Sequence, residues 1–237
     1  MLHQAMSRSI LRLALVLLVL GSSSASALAN RAPGDPKEAF RKQDVTWAKQ
    51  INLRRSDLPT GVKWKAYGTG GTGGGGSGAN DVGCPGVRSD NSDLTLTGRA
   101  ASPLFIDTNR QYVIVSIVWI FKTPTEAKKF NDRLTSSMGR CGPGLMKSET
   151  GKIQAARLLS FGPKPIPGTS QHWSRFRLVI SLSVQGQRVK SFVDFVLGQR
   201  GRATAFLLLH GSPDAIPAGV EAGFVDAMAG QMAHPPG

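Results

Sequence analysis

The chain has 237 residues, and 41% of them are hydrophobic. A chain of this size can bury a sizeable core, so its fold need not depend on covalent staples. It carries 29 Lys and Arg against 15 Asp and Glu, a net charge of +14. This positive charge favours binding to anionic partners such as wall polymers or lipid headgroups. The competing explanation is that the charge only keeps the protein soluble. Aromatic residues make up only 7% of the chain, which argues against a nucleic-acid surface of exposed aromatic side chains.

The N-terminus has the pattern of an export signal. Arg8 and Arg12 lead into the apolar stretch 13–20, and small residues with two A-x-A sites follow, the second ending at Ala29. We predict a cleavable signal peptide over residues 1–29, with cleavage after Ala29. The apolar stretch is shorter than the roughly 20 residues that span a bilayer, and no Cys follows the small residues. The mature chain is therefore expected to be secreted, extracytoplasmic and not lipid-anchored.

Two cysteines are present, Cys84 and Cys141. In an exported chain an isolated pair predicts one disulfide. A metal or redox pair does not fit, because the two residues are far apart in the sequence and no His lies close to either. Closing a loop of this length would stabilise the chain by roughly 4 kcal/mol in the chain-entropy model.

Residues 68–93 begin with a glycine-rich run that contains a literal G-x-G-x-x-G at Gly68, Gly70 and Gly73. The dinucleotide fingerprint needs a helix to begin within the motif, so that its N-terminus faces the pyrophosphate. Here more glycine follows instead. We interpret the segment as a loop inserted in the domain, and we expect no cofactor.

The first half of the mature chain predicts a helix and three strands. Asp35 followed by Pro36 is typical of a helix start, and Phe40 lies on the apolar side of that helix together with Trp47. The strands are predicted at 62–67, 94–97 and 112–121, and the last of these is expected to be central.

A second helix is predicted after the long strand. Thr123 and Glu126 are spaced as a capping box around Pro124. The run Gly142-Pro143-Gly144 predicts its end. Its apolar stripe comprises Ala127, Phe130, Leu134, Met138 and Cys141.

The most regular pattern is a three-strand meander from residue 175 to 210. A two-residue turn with Gly186 in its first central position would pair Val184 with Val189. A three-residue loop ending at Gly201 would pair Leu197 with Ala203. In that register one face of the three strands is apolar.

Residues 218–232 predict a terminal helix, and 233–237 a disordered tail. The expected architecture is one α+β domain over residues 30–237, in which an antiparallel sheet of about six strands carries two or three helices.

The second face of the meander mixes apolar and ionisable groups, as one wall of a ligand pocket does. The predicted register places Ser183, Lys190 and His210 in a line across three strands. The competing explanation is a solvated face with one cross-strand ion pair. The candidate ligand-binding residues are Arg177, Lys190, Phe192, Asp194 and His210.

No catalytic motif stands out, and no metal site is predicted. The sequence lacks a G-x-S-x-G elbow, an H-E-x-x-H motif and a carboxylate pair. A catalytic set assembled from distant residues stays open, so an extracytoplasmic hydrolase is the alternative to a non-catalytic binding or sensing module. The expected partner is an anionic wall polymer, a membrane surface or a small ligand. The sequence does not indicate an oligomeric state.

A helix leads into the segment 51–59, Ile-Asn-Leu-Arg-Arg-Ser-Asp-Leu-Pro, followed by a strand around Trp64 and a loop Cys. A strand, a helix with Ala127, Phe130 and Cys141, a meander and a terminal helix come next. This order resembles actinobacterial exported domains, namely the extracellular sensor domain of a mycobacterial serine/threonine kinase and small lipoproteins with the fold of the photosystem II extrinsic subunit P. The resemblance implies an α+β sandwich around a cleft and a binding or sensing role. This chain departs from both in having no lipobox Cys and a single Cys pair, so no functional residues carry over.

Overall fold

The structure is a computed structural model that describes 34–68, 90–107, 109, 112–151, 156–164, 166, 173–184 and 186–236. The signal peptide, most of the glycine-rich segment and Cys84 lie outside these residues, and so does the side chain of Cys141. Cleavage after Ala29, the disulfide and the interpretation of the glycine-rich motif therefore stay predictions.

The described residues form nine strands and three α-helices. A single 3₁₀ turn covers Arg55–Asp57. The strands are Lys37–Glu38 (β1), Trp64–Tyr67 (β2), Thr95–Ala101 (β3), Leu104–Asp107 (β4), Tyr112–Phe121 (β5), Ala156–Pro163 (β6), Ser174–Val184 (β7), Gln187–Arg200 (β8) and Ala203–Gly211 (β9). The helices are Lys42–Ile51 (α1), Pro124–Gly151 (α2) and Ala218–Met232 (α3).

The predicted α+β class is confirmed, with a larger sheet than expected. All nine described strands join one sheet in the order β1-β3-β5-β9-β8-β7-β6, while β4 pairs with β5 and carries β2. The pairing is antiparallel except between β1 and β3. The three unpredicted strands are β1, β4 and β6. Two of them are very short, and β6 is an edge strand with no fully buried residue, so none shows a strong alternating pattern.

The first helix starts later than predicted. Asp35 and Pro36 precede strand β1, and α1 begins only at Lys42. The backbone N–H of Lys37 donates to the carbonyl of Leu94 at 2.8 Å, so the sheet uses the groups that a helix start would need. Phe40 therefore falls outside the helix and is 45% exposed.

The second helix starts as predicted and ends later. The Thr123 N–H donates to Glu126 Oε2 at 3.0 Å, and the Glu126 N–H donates to Thr123 Oγ1 at 3.2 Å, which confirms the capping box. The helix continues through Pro143 to Gly151, so the predicted stop was wrong. Gly142 allows the helix to rest on β6, since a Cβ there would lie 2.3 Å from the ring of Phe161. Tertiary packing here outweighs local propensity.

The first hairpin of the meander is shifted by two residues from the predicted register. Val184 pairs with Gln187, not with Val189. Gly186, with φ +79°, occupies the second central position of the turn rather than the first. A shift of two keeps each side chain on its predicted face, so the faces of β7 and β8 were right and the partners wrong.

The second hairpin is shifted by three residues, and this changes the site. Arg200 pairs with Ala203 across a two-residue loop containing Gly201 at φ +56°. Leu197 therefore pairs with Phe206, not with Ala203. Because side chains alternate with period two, an odd shift turns the whole of β9 over relative to β8.

Both faces of the sheet are covered. One face, here the α2 face, packs against α2, and the opposite face, here the α1/α3 face, packs against α1 and the terminal helix. Helix α3 has the predicted bounds and docks on the sheet. Its buried apolar residues are Ala222, Phe224, Val225, Met228, Ala229 and Met232.

Candidate functional site

Three of the five candidate site residues lie together on the α1/α3 face. Arg177 and Asp194 are direct cross-strand partners. The guanidinium donates from Nε to Oδ1 at 2.7 Å and from Nη2 to Oδ2 at 2.6 Å, a bidentate pair. The same guanidinium lies 5.9 Å from the ring centre of Phe192. The sequence analysis allowed for one cross-strand ion pair on this face, and Arg177 and Asp194 form it.

The other two candidates do not join them. Lys190 is exposed and pairs with Ser181, not with Ser183. His210 pairs with Val193 and lies on the α2 face, because β9 is turned over. The predicted line of Ser183, Lys190 and His210 was therefore wrong.

His210 instead forms a closed contact within the core. Its Nε2 lies 2.8 Å from Ser191 Oγ. The exposed fractions of the two residues are 1% and 0%. Burial lowers the pKa of the imidazole to about 4, so the ring is neutral at pH 7. A Ser–His pair resembles part of a hydrolase site, but this one offers a substrate no access.

A fourth charged residue completes the group on the α1/α3 face. Glu221, from the first turn of α3, accepts from Arg175 Nη1 at 2.5 Å and lies 3.9 Å from Arg177 Nη2. We call Arg175, Arg177, Asp194 and Glu221 the charge cluster. It holds two cations and two carboxylates, which balance inside the protein as buried charges require.

The environment of the cluster shifts two of its pKa values. Burial raises the pKa of Glu221, and the nearby charge of Asp194 adds to that. The hydrogen bond to Asp194 raises the pKa of Arg177. Sequence reasoning missed Glu221 because a carboxylate in a mostly apolar helix carries no signal of its partner. Its place in the first turn, where an acidic side chain is favourable, offered a ready explanation without a partner.

A cleft of about 420 Å³ opens beside this cluster, where the end of β6 and the start of β7 meet α2. This volume lies within the range of roughly 300–1,000 Å³ typical of small-molecule sites. Trp173 forms one side of it and rests on Gly198, where a Cβ would lie 2.1 Å from the indole. The residues that line the cleft are Thr135, Pro163, Lys164, Trp173, Ser174, Arg175 and Phe176.

The polar groups of the cleft are two hydroxyls and two cations, on Thr135, Ser174, Lys164 and Arg175, and none of its described lining residues is acidic. Thr135 Oγ1 is buried and makes no hydrogen bond to the described residues. Because the atom is buried, it is an unsatisfied polar group of the interior and not a group on the open surface of the cleft. The sequence did not indicate this site, because its walls come from a helix and two strand ends that are distant in the chain.

Two further findings concern the described residues alone. They include no group of three or more His, Cys, Asp or Glu that could hold a metal ion. No helix among them is both long enough and apolar enough to cross a membrane.

Comparison with known proteins finds a weak structural likeness. No family model matches the sequence, and no curated protein matches it. The fold resembles the extracellular domain of PknH from Mycobacterium tuberculosis at a TM-score of 0.35 and 12% sequence identity. The match covers 57% of this chain and 66% of that one, just under two thirds of its length. The resemblance to a mycobacterial kinase sensor domain is thus found at a low level and carries no argument about function. The resemblance to the photosystem-related lipoproteins stays a prediction.

Proposed function

We propose that this chain is an exported, non-catalytic binding module of the cell envelope, which holds a small ligand in the cleft between α2 and the sheet. The observation that carries the proposal is a cleft of about 420 Å³ whose described lining holds two cations and no carboxylate. The cations would bind a polar group of the ligand, and Trp173 would cover its apolar part.

Binding is favoured over hydrolysis by the position of the Ser–His contact. Ser191 and His210 are enclosed in the core, on a different face of the sheet from the charge cluster. The cleft itself is lined by groups that bind and orient, and no described lining residue is a His or a carboxylate. The hydrolase alternative would need an accessible nucleophile next to a general base.

Export is supported by the N-terminal pattern of charge, apolar stretch and A-x-A site. The test is to produce the full chain in an exporting bacterial host and to analyse the protein from outside the cytoplasm by mass spectrometry. We expect a mature N-terminus at Asn30 and a mass two hydrogens lower than that of the dithiol. An intact Met1 and two free thiols would contradict the export part of the proposal.

The binding part is tested on the same material. Native mass spectrometry of the mature chain should show a non-covalent small molecule or its exchange with envelope extract. Thr135→Phe, which places a ring in the cleft, should abolish that signal, while Lys122→Ala, at an exposed lysine outside the cleft lining, should leave it. A bound molecule retained equally by both variants would place the ligand elsewhere.

A second candidate function is attachment to an anionic envelope polymer. Within residues 37–65, eight basic side chains are exposed and only two acidic ones, Glu38 and Asp57. Such a surplus attracts polyanions in a salt-dependent way. Retention of the mature chain on purified cell wall should fall steeply with added salt. Retention unchanged by high salt would count against attachment through charge. The basic residues are Lys37, Arg41, Lys42, Lys49, Arg54, Arg55, Lys63 and Lys65.

A further inference from the structure

The lining of the cleft combines an aromatic ring with a positive charge. Trp173 is half-buried and packs with the core of the α1/α3 face, whereas Phe176 is 5% exposed and belongs to the core of the α2 face. Trp173 is therefore the aromatic side chain open to a ligand, and the exposed Lys164 lines the same cleft. Such a site suits a molecule with a flat apolar body and a polar end.

The sign of that polar end follows from the charges. Lys164 and Arg175 line the cleft, and its described lining contains no carboxylate. Glu221 neutralises part of the Arg175 charge from behind, but it is 0% exposed and belongs to the charge cluster. The uncompensated charge at the mouth is therefore that of Lys164, for which no ion pair is found among the described residues.

We propose that the cleft binds amphiphilic anions: molecules with an aromatic or other flat apolar body that packs on Trp173, and a carboxylate, sulfonate or phosphate group held by Lys164. This assignment rests on the proposed function and deepens it by naming the ligand class. Arg175 attracts the anion electrostatically while it stays paired with Glu221.

Two matched probes test the class of ligand. 1-Anilinonaphthalene-8-sulfonate and N-phenyl-1-naphthylamine share one aromatic body and differ by the sulfonate. Both gain fluorescence in apolar sites, so titration of the mature chain gives a dissociation constant for each. We expect saturable binding of the sulfonate at one site, with energy transfer from Trp173 that Trp173→Phe reduces.

The decisive quantity is the ratio of the two affinities. Lys164→Ala should weaken the sulfonate by about three- to fivefold and leave the neutral probe unchanged, as expected for a partly exposed charge pair. Lys122→Ala, at an exposed lysine outside the cleft lining, is the matched control and should change neither constant. Comparing the two probes in each variant isolates the charge contribution from general packing effects.

Cleft-filling variants separate the two levels of the proposal. Thr135→Phe should abolish binding of both probes, and Ser174→Phe serves if the first variant fails to keep the melting profile of the parent protein. The filling variants could lose both probes equally while Lys164→Ala leaves the ratio of the two dissociation constants unchanged. That result would overturn the anionic class of ligand, but the proposed binding function would still hold. Probe binding that survives both fillings would overturn the cleft as the site.

Discussion

Arg175 of strand β7 and Glu221 of helix α3 form an ion pair of 2.5 Å whose side chains are 6% and 0% exposed. The two residues are distant in the sequence, and the pair ties the last helix to the sheet beside the cleft. Removing one partner of such a pair leaves a buried charge uncompensated.

Glu221→Ala is therefore expected to destabilise the protein by about 3–5 kcal/mol. Glu221→Gln should cost less, because the amide oxygen still accepts from Arg175. Urea unfolding followed by circular dichroism measures both, with the exposed Glu38→Ala as the control that should be near neutral. A loss below about 1 kcal/mol in Glu221→Ala would show that the pair behaves like a surface salt bridge.

The buried imidazole of His210 makes stability depend on pH. Its pKa in the folded protein is lowered to about 4 by burial, against about 6.5 in an unfolded chain. The unfolded state therefore binds the proton more readily, so stability is complete above about pH 6.5 and is lost as the pH falls towards 4. The loss attributable to this one group approaches about 3 kcal/mol at the acid limit.

His210→Gln should flatten the pH dependence of unfolding between about pH 6.5 and 4, while lowering stability at pH 7. Urea melts at several pH values in that window measure the slope. The matched control is His234→Gln, since His234 is exposed near the end of α3. An unchanged slope in His210→Gln would mean that other groups carry the acid sensitivity.

The capping box of α2 makes a local contribution to the stability of the protein. Thr123→Ala removes the side chain that accepts from the Glu126 N–H and should destabilise the protein by about 1 kcal/mol. Glu126→Ala removes the reciprocal bond. Because the two side chains act together, the double variant should lose less than the sum of the single losses. Strict additivity in thermal or urea unfolding would indicate two independent contacts.

At Gly98 an added methyl group would clash with backbone atoms. A Cβ on it would lie 2.5 Å from the carbonyl carbon of Asp44 in α1. Backbone cannot yield as a flexible side chain can, so Gly98→Ala should push α1 off the sheet and cost at least about 2 kcal/mol, as overpacking does.

The control for Gly98→Ala is Gly144→Ala, since a Cβ there would meet nothing within 4 Å. The urea midpoint of this control should stay near that of the parent or rise slightly, because alanine favours the helix. An equal effect of both substitutions would show that helix propensity, not the close approach to Asp44, decides the outcome at Gly98.

The elements that the sequence predicted well are those whose signal is local. The bounds of β5 and α3 and the start of α2 depend on alternation, apolar spacing and one capping box, all of which lie within a few residues. Phe40 and Pro143 show the limit of this reasoning. Phe40 lies outside the predicted helix because the backbone near it pairs with the sheet. Pro143 lies inside a helix because that helix continues and packs against Phe161 at Gly142.

The candidate site was only partly predictable for the same reason. Arg177 and Asp194 were placed on one face because β7 and β8 keep their parity under a shift of two. His210 was misplaced because the second turn has two residues instead of three, and the odd shift inverts β9.

The sequence by itself determined the alternation of β5, β7 and β8 and the capped start of α2, and its N-terminal pattern predicts export. Only the tertiary structure decided which strands meet in which register, that Glu221 reaches Arg175, and that Thr135, Lys164 and Trp173 line one cleft. The physical reason is distance along the chain. The periodicity of a strand and the cap of a helix depend on residues that are neighbours in sequence. The partner of a side chain across a sheet depends instead on turn geometry and on the packing of the whole core.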